Sequence, residues 1–315
     1  MAGEGESAPA ASRRIPNGKQ KMFRSGFISI IGRPNAGKST LLNALLGEKI
    51  SIVSEKPQTT RNVIRGVKNL GDCQIVFVDT PGIHRGKGLL NEFMVKEALN
   101  AIRDVDGVIY LVDAGRKRSD DDRFIIEGLK GLVCPVILCI NKVDNVDKLK
   151  ILPLIDEYSK LYPFKEIVPI SALKKDGIDS LLNVVAAMLP EGPRYFPEDV
   201  ITDRPERFIA SEIVREKIFL FTHEEIPYSV AVTIDSFREK DGVIAITATI
   251  NVERDSQKGI IIGKGGNMLK RIGTEARLDL EKLFGAKIYL ELFVRAQQDW
   301  TRRPGALKEF GYGSA

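Results

Sequence analysis

Residues 28–42 read ISIIGRPNAGKSTLL, and the fold follows from this stretch. Phe27, Ile28, Ile30 and Ile31 form a short apolar run of strand character. Gly32-Arg33-Pro34-Asn35-Ala36-Gly37-Lys38-Ser39 follows, and a helical pattern begins at Ser39 and continues through Thr40. Strand, G-x-x-x-x-G-K-[ST] loop and helix, in that order, make a phosphate-binding P-loop. Gly32 and Gly37 let backbone N–H groups turn inward with no Cβ in the way of a phosphate. The positive end of the following helix adds to the same pocket. Lys38 is placed to reach β- and γ-phosphates, and the Ser39 hydroxyl to ligate Mg²⁺. A glycine-rich turn without a ligand is the bland alternative, and the flanking strand and helix weigh against it.

Working outward, apolar runs alternate with amphipathic stretches. Gln74–Val78 ends at Asp79, Gly107–Val112 at Asp113, Pro135–Ile140 at Asn141 and Glu166–Ile170 at Ser171. Residues 91–103, 120–131, 147–161 and 178–189 between them have helical spacing. Such alternation predicts a mostly parallel sheet covered on both faces, with ligands at the carboxyl ends of its strands. The polar residues after each strand should therefore converge on one rim.

Three strand ends carry chemistry. Asp79-Thr80-Pro81-Gly82-Ile83 places an acid where it can hold Mg²⁺ through water, and Gly82 offers an N–H to a γ-phosphate and a hinge. Asn141-Lys142-Val143-Asp144 fits guanine: the Asp144 carboxylate can accept from N1–H and the 2-amino group, and adenine offers neither donor. The Lys142 stem can lie against the base, and Asn141 can brace neighbouring loops. Ser171-Ala172-Leu173 would close over the base with backbone N–H groups. Between the P-loop and Asp79 lies Ser54-Glu55-Lys56-Pro57-Gln58-Thr59-Thr60-Arg61, a polar segment where a cover for the phosphates belongs. A threonine hydroxyl here can complete a Mg²⁺ shell when the γ-phosphate is present. Thr60 is the first choice, Thr59 the rival, and an ordinary solvated loop the plain alternative. Lys38, Thr60 and Gly82 are the residues expected to act on the γ-phosphate.

Composition sets the bounds. With 315 residues, two domains are expected, and an apolar share of 43% gives each half its own core. Net charge is +5, of which residues 1–24 carry +3, so charge alone argues for neither nucleic acid nor membrane. Cys73, Cys134 and Cys139 form no C-x-x-C pair, which fits core thiols in a reducing cytosol. Two histidines are too few for a metal cluster, and no apolar run is long enough to span a bilayer. The segment MAGEGESAPAASRR has no apolar core, so it is no signal peptide and is expected to be disordered.

Together these pieces resemble the translation-factor-related class of GTPases over residues 25–190. P-Q-T-T-R at 57–61 and D-T-P-G-I-H at 79–84 resemble the Era family in particular. In Ras-like GTPases a glutamine after the D-x-x-G glycine orients the attacking water. Ile83 stands there and cannot, and the resemblance implies a group with a hydrophobic residue at that position. Asn35 matches the asparagine that in relatives helps hold K⁺ near the phosphates. A loop-bracing role for Asn35 is the competing reading. Slow intrinsic hydrolysis is expected, faster in K⁺ than in Na⁺.

Residues 191–207, with their prolines and mixed charge, predict a linker in which Tyr195 and Phe196 could dock. From 208 the pattern changes to helix (Arg207–Phe221), strands (Tyr228–Phe237, Val243–Val252), helices (Lys258–Ile262, Met268–Leu283) and a last strand (Lys287–Val294). Gly263-Lys264-Gly265-Gly266 splits the two helices after the run Gly259-Ile260-Ile261-Ile262. This matches the KH loop that clamps single-stranded nucleic-acid backbone. Lys258, Lys270 and Arg271 are expected to add charge on its side.

Glu225–Ser229, Val252–Gly259 and Trp300 also resemble the C-terminal half of the Era family, so the likeness covers all but the first 24 residues. The implied fold is an α/β P-loop GTPase domain (25–190), a linker (191–207) and an α+β type II KH domain with a C-terminal tail (208–315). The implied function is a monomeric, GTP- and Mg²⁺-dependent factor that binds small-subunit ribosomal RNA near its 3′ end and assists assembly of that subunit. Cytoplasmic location with peripheral membrane contact is implied by the family alone. An RNA-binding module with a merely structural nucleotide site is the main alternative. An ATP-dependent kinase is a third, opposed by Asp144.

Overall fold

The computed structural model describes residues 22–54, 56–84, 88–223 and 225–312. Most of the expected N-terminal extension lies outside the described residues. The chain runs β1 (Arg24–Gly32), α1 (Lys38–Leu46), β2 (Ile64–Leu70), β3 (Cys73–Asp79), α2 (Leu89–Asn100), β4 (Gly107–Asp113), α3 (Asp120–Leu129), β5 (Val136–Asn141), α4 (Ile151–Ser159), β6 (Glu166–Pro169) and α5 (Ile178–Met188). After a connection come α6 (Glu206–Phe221), β7 (Ala231–Lys240), β8 (Val243–Val252), α7 (Asp255–Ile262), α8 (Asn267–Phe284), β9 (Lys287–Ala296) and α9 (Pro304–Glu309).

The first sheet has the order β2-β3-β1-β4-β5-β6. All its neighbours are parallel except β2, which pairs antiparallel with β3. Buried aliphatics of β1, β3, β4 and β5 point to both faces. Ile28, Ile30 and Phe77 pack with α1 and α5 on one side, and Ile31, Tyr110 and Leu138 with α2, α3 and α4 on the other. Two-sided burial is why these strands read as continuous apolar runs. β2 was not expected: its IRGVKNL alternates apolar with charged or polar residues at a sheet edge, so it lacks that signature.

Residues 191–204 run along this edge. Ile201 O accepts from Val67 N at 2.9 Å, and both amide atoms of Gln74 bind the backbone at 195–196. Tyr195 lies 4.8 Å from the Phe27 ring, so this connection is docked.

The second sheet has the order β7-β8-β9, antiparallel then parallel, with α6 and α8 on one face around Ile246, Ile250, Ile272 and Leu280. Asp241 and Gly242 both have positive φ (51° and 74°), as the tight turn between β7 and β8 demands. Two departures from expectation stand out. Ile226–Ser229 is a 3₁₀ turn in which Tyr228 N donates to Glu225 O at 3.1 Å instead of to a ladder, and β7 starts only at Ala231. The 147–161 helix splits into a Lys148–Lys150 3₁₀ turn, capped by Asp147, and α4. Helix α9 was not foreseen. It folds back so that Trp300, Leu307 and Tyr312 meet Leu90 of α2, joining the two halves through a shared apolar cluster.

Candidate functional site

The P-loop is held by close backbone approach. A Cβ at Gly32 would sit 2.3 Å from Leu111 O, one at Gly37 2.4 Å from Asn141 Nδ2, and one at Gly82 2.8 Å from Pro34 Cα. Gly37 also has φ 98°, and Asn35 φ 63°. No side chain fits at these glycines, so the loops press together as a cradle. Lys38 is buried inside it and donates to Gly32 O (3.2 Å) and Arg33 O (3.1 Å). Burial holds its pKa down to about 8, against the pull of the Asp79 carboxylate.

Ser39, Thr60 and Asp79 come together. Ser39 Oγ lies 2.7 Å from Thr60 Oγ1 and donates to Asp79 Oδ2 at 2.8 Å, and Ser51 Oγ donates to the same oxygen at 2.9 Å. Asp79 is fully buried, and its Oδ1 has no partner among the described residues. Burial pushes its pKa up, opposed by Lys38 and by the bonds from Ser39 and Ser51. A buried carboxylate with an unpartnered oxygen beside two hydroxyls is short of positive charge, so the donor set fits a hard divalent cation. Thr59 turns its hydroxyl to Lys56 O at 2.7 Å instead.

Pro34, Asn35, Gly37, Thr40, Thr60 and Gly82 line one cavity with Lys38 and Ser39. Four of the expected P-loop and D-x-x-G residues turn their side chains away from the cavity. Arg33 reaches away to Asp122 at 3.1 Å, Ala36 is buried, Thr80 Oγ1 donates to Ile30 O at 2.8 Å, and Ile83 is buried in the sheet's α2-side core. Pro81 connects Thr80 to Gly82 and is also buried. Ser51, Gln58 and His84 were missed by sequence reading. Gln58 Nε2 and His84 Nε2 lie 3.1 Å apart beside the phosphate cavity.

At the base end, Asn141 Nδ2 donates to Ala36 O (2.8 Å), while its Oδ1 accepts from Ala172 N (3.0 Å). One amide thus ties the P-loop to the Ser171–Leu173 loop. Lys142 Nζ donates to Asn35 O and to Asp113 Oδ2, both at 2.8 Å, which stretches its stem across the floor. Val143 N donates to Ile170 O, and Asp144 and Leu173 are exposed at the rim.

The phosphate-side segment leans on the C-terminal half. Arg215 Nη2 donates to Thr59 O at 2.5 Å and pairs with Glu212. Val53 N donates to Glu216 Oε1 at 2.9 Å, and Lys49 bridges Glu216 and Asp279. Lys56 Nζ donates to Phe219 O and Thr222 O.

The Gly263–Gly266 loop is open. Gly263, Gly265 and Gly266 have φ of 71°, 61° and 79°, and Lys264 is exposed between them. A groove beside it is lined by Gly266, Leu269, Lys270, Gly273, Arg277 and the β9 edge at Leu290–Leu292. Lys258 and Gly259 lie on α7 ahead of the loop. Arg271 does not join Lys270 in this groove: one residue on, the helix turns it to stack 4.0 Å over the Phe221 ring of α6. Arg277, two turns on, faces the groove in its place.

A P-loop switch site on a mostly parallel sheet, followed by a G-x-x-G clamp, defines the class: a P-loop GTPase joined to a KH domain. A family model described as a 50S ribosome-binding GTPase matches residues 27–142, and a KH-domain model matches residues 225–301. GTPase Era of Geotalea uraniireducens is 57% identical over 294 residues, 93% of this chain and 99% of its own length. A crystal structure of Era with MgGDPNP and nucleotides 1506–1542 of 16S ribosomal RNA is 45% identical. It superposes with a TM-score of 0.90 over 93% of this chain and 100% of its own. An Aquifex aeolicus Era variant bound to GDP·AlF4⁻ matches to the same degree. The chain belongs to the Era GTPase family.

Proposed function

We propose that this protein binds and hydrolyses GTP as a switch, binds 16S ribosomal RNA near its 3′ end, and assists small-subunit assembly. Residues 25–190 form the GTPase domain, 191–207 the linker and 208–315 the KH domain with its tail. The observation that carries the reading is the meeting of Ser39, Thr60 and Asp79, with Asp79 Oδ1 unpartnered, beside a buried Lys38. Ser39, Thr60 and Asp79 would hold Mg²⁺, which would supply positive charge beside the phosphates. Lys38 and the P-loop N–H groups hold the phosphates, Thr60 and Gly82 sense the γ-phosphate, and Asp144 selects guanine. A buried Ile83 orients no water, so intrinsic turnover is slow. Asn35 lines the same cavity, and its backbone carbonyl accepts from Lys142. Faster hydrolysis in KCl than in NaCl supports a K⁺ ligand there, and equal rates support the brace.

The GTPase family model names the large subunit and covers only 27–142, whereas the relative carrying 16S RNA matches nearly the whole chain. The longer match weighs more, and small-subunit RNA is the partner proposed. RNA backbone would lie on Gly263–Gly266 and Lys264, with Lys258, Gly259 and Lys270 beside it and bases along the β9 edge. Among the described residues no helix is long and apolar enough to cross a membrane. A cytoplasmic location with peripheral membrane contact rests on family resemblance. The test is RNA affinity at fixed salt with GTP analogue, GDP or no nucleotide, alongside competition of GTP by ATP. A clear preference for one nucleotide state supports the switch. Equal affinity in all three leaves two independent binding modules.

A further inference from the structure

Arg61 follows Thr60 directly, yet its side chain turns away from the phosphates into the C-terminal half. It is fully buried. Nη1 donates to Val230 O at 2.7 Å, and Nη2 to Pro227 O at 3.0 Å and Tyr228 O at 2.9 Å, with the Tyr312 ring 5.4 Å from its Cζ. Nε has no partner among the described residues, so burial of the guanidinium is offset only through its two Nη groups. The contacts to this one turn are split between two nitrogens of a planar fork, a spread that lysine's single nitrogen cannot reproduce.

The same turn is wired to the RNA clamp. Ser229 Oγ accepts from Gln257 Nε2 at 2.9 Å, and Gln257 is buried in the first turn of α7. Gln257 Oε1 in turn accepts from Glu253 N and Arg254 N, capping the helix that ends at Gly263. Trp300 Nε1 donates to Ser229 O at 3.0 Å, closing the turn from the far side. One short backbone stretch, 227–230, is thus gripped by Arg61 and by the helix that delivers the Gly263–Gly266 loop. Arg215 and Lys49 also hold the seam between the halves, but they contact Thr59, Glu212, Glu216 and Asp279, none of which lies on α7.

We propose that Arg61 is the positioning residue through which the nucleotide site and the RNA clamp read one another. It holds Thr60 beside Ser39 while the 227–230 turn is in place, and holds that turn under Gln257 while Thr60 is in place. Withdrawing Thr60 pulls a charged group out of its carbonyl cage and leaves Pro227, Tyr228 and Val230 oxygens buried and unpaired. That penalty links the two sites, and reciprocity makes RNA bound at the clamp bias Thr60 in turn. The inference rests on the switch reading and names the residue that carries it.

The test uses the full chain and a synthetic RNA of nucleotides 1506–1542 of 16S ribosomal RNA, the fragment in the relative's complex. RNA affinity is measured with GTP analogue and with GDP for wild type, Arg61→Lys and Ser229→Ala. A wild-type ratio in the usual range of about 5–150-fold should collapse to within about twofold in Arg61→Lys. Ser229→Ala, remote from the nucleotide, should shrink the ratio while leaving GDP affinity unchanged. An unchanged ratio in Arg61→Lys, even with both affinities or the melting temperature lowered, makes the residue merely structural and overturns the proposal. Should Arg61→Lys fail to fold, an unchanged ratio in Ser229→Ala overturns it alone. Equal affinities in the wild type bring down the switch reading, and this inference with it.

Discussion

The loops at 32–39 and 263–266 both precede a helix and both carry glycines at positive φ, but their surroundings are opposite. The first is walled by its own fold: Leu111, Asn141 and Pro34 stand within 2.8 Å of where a Cβ would be, and Lys38 is buried among carbonyls. At Gly265 and Gly266 an added Cβ meets nothing within 4 Å, and Lys264 is exposed. The walled loop suits one terminal phosphate group with a metal, because every donor is prepaid in position and desolvated. The open loop suits a polymer backbone that must enter and leave from the side, with affinity set by exposed charge. Similar glycine chemistry thus serves two purposes, and enclosure separates them.

The largest effect should come from breaking the walled loop. Lys38→Ala removes two or more charge-assisted bonds to phosphate, each worth about 1.5–3 kcal/mol, a loss of roughly 100-fold or more in GTP and GDP affinity by fluorescent-nucleotide titration. RNA binding by the nucleotide-free protein should survive it. Gly37→Ala and Gly265→Ala then sharpen the contrast. The first combines positive φ with a clash against Asn141 and should abolish nucleotide binding, while the second meets open space. Gly265→Ala should cost only about 1–2 kcal/mol of backbone strain, read as a lower melting temperature with RNA still bound.

Asp144→Asn should lower GTP affinity about 10–100-fold, since a neutral amide cannot accept from both guanine donors. It should also raise preference for xanthosine triphosphate, whose 2-carbonyl accepts where guanine donates. Lys264→Ala tests the open loop by salt: the slope of log affinity against log salt should fall by about 0.7 for RNA, while nucleotide affinity is unmoved.

The smallest effect concerns the seam between the halves. Burial opposes ionisation of Asp279, but hydrogen bonds from Lys217 and Lys49 outweigh it and hold its pKa below 3.8. A lowered acid pKa gives stability that is complete above the unfolded value and fades as pH falls through the folded one. Asp279→Asn should therefore flatten the acid limb of a melting-temperature profile below about pH 4 while changing its slope little near pH 7.

Much of the fold and of the phosphate site was legible in the sequence, because both are short-range. The P-loop, the D-x-x-G turn and the N-K-x-D turn each lie within a few residues of a strand end. Parallel topology then brings those ends to one rim whatever the rest of the chain does. Buried strands announced themselves by unbroken apolar runs, and the edge strand β2 hid because its own sequence, IRGVKNL, mixes apolar with charged and polar residues. Thr60 was preferred to Thr59 from the sequence, and the structure supplies the reason: its hydroxyl reaches Ser39 at 2.7 Å. Arg271 and Arg277 carry the same charge on one helix, and only packing against Phe221 tells which one leaves the groove. The roles of Arg61, Arg215 and Trp300 were beyond reach in the same way. Arg61 binds carbonyls more than 160 residues away, and a contact of that span leaves no period, spacing or composition in the local sequence. The sequence by itself determined the two loops and their chemistry. The tertiary structure alone decided that the two halves carrying them share a seam, because long-range contacts exist only after the chain has closed on itself.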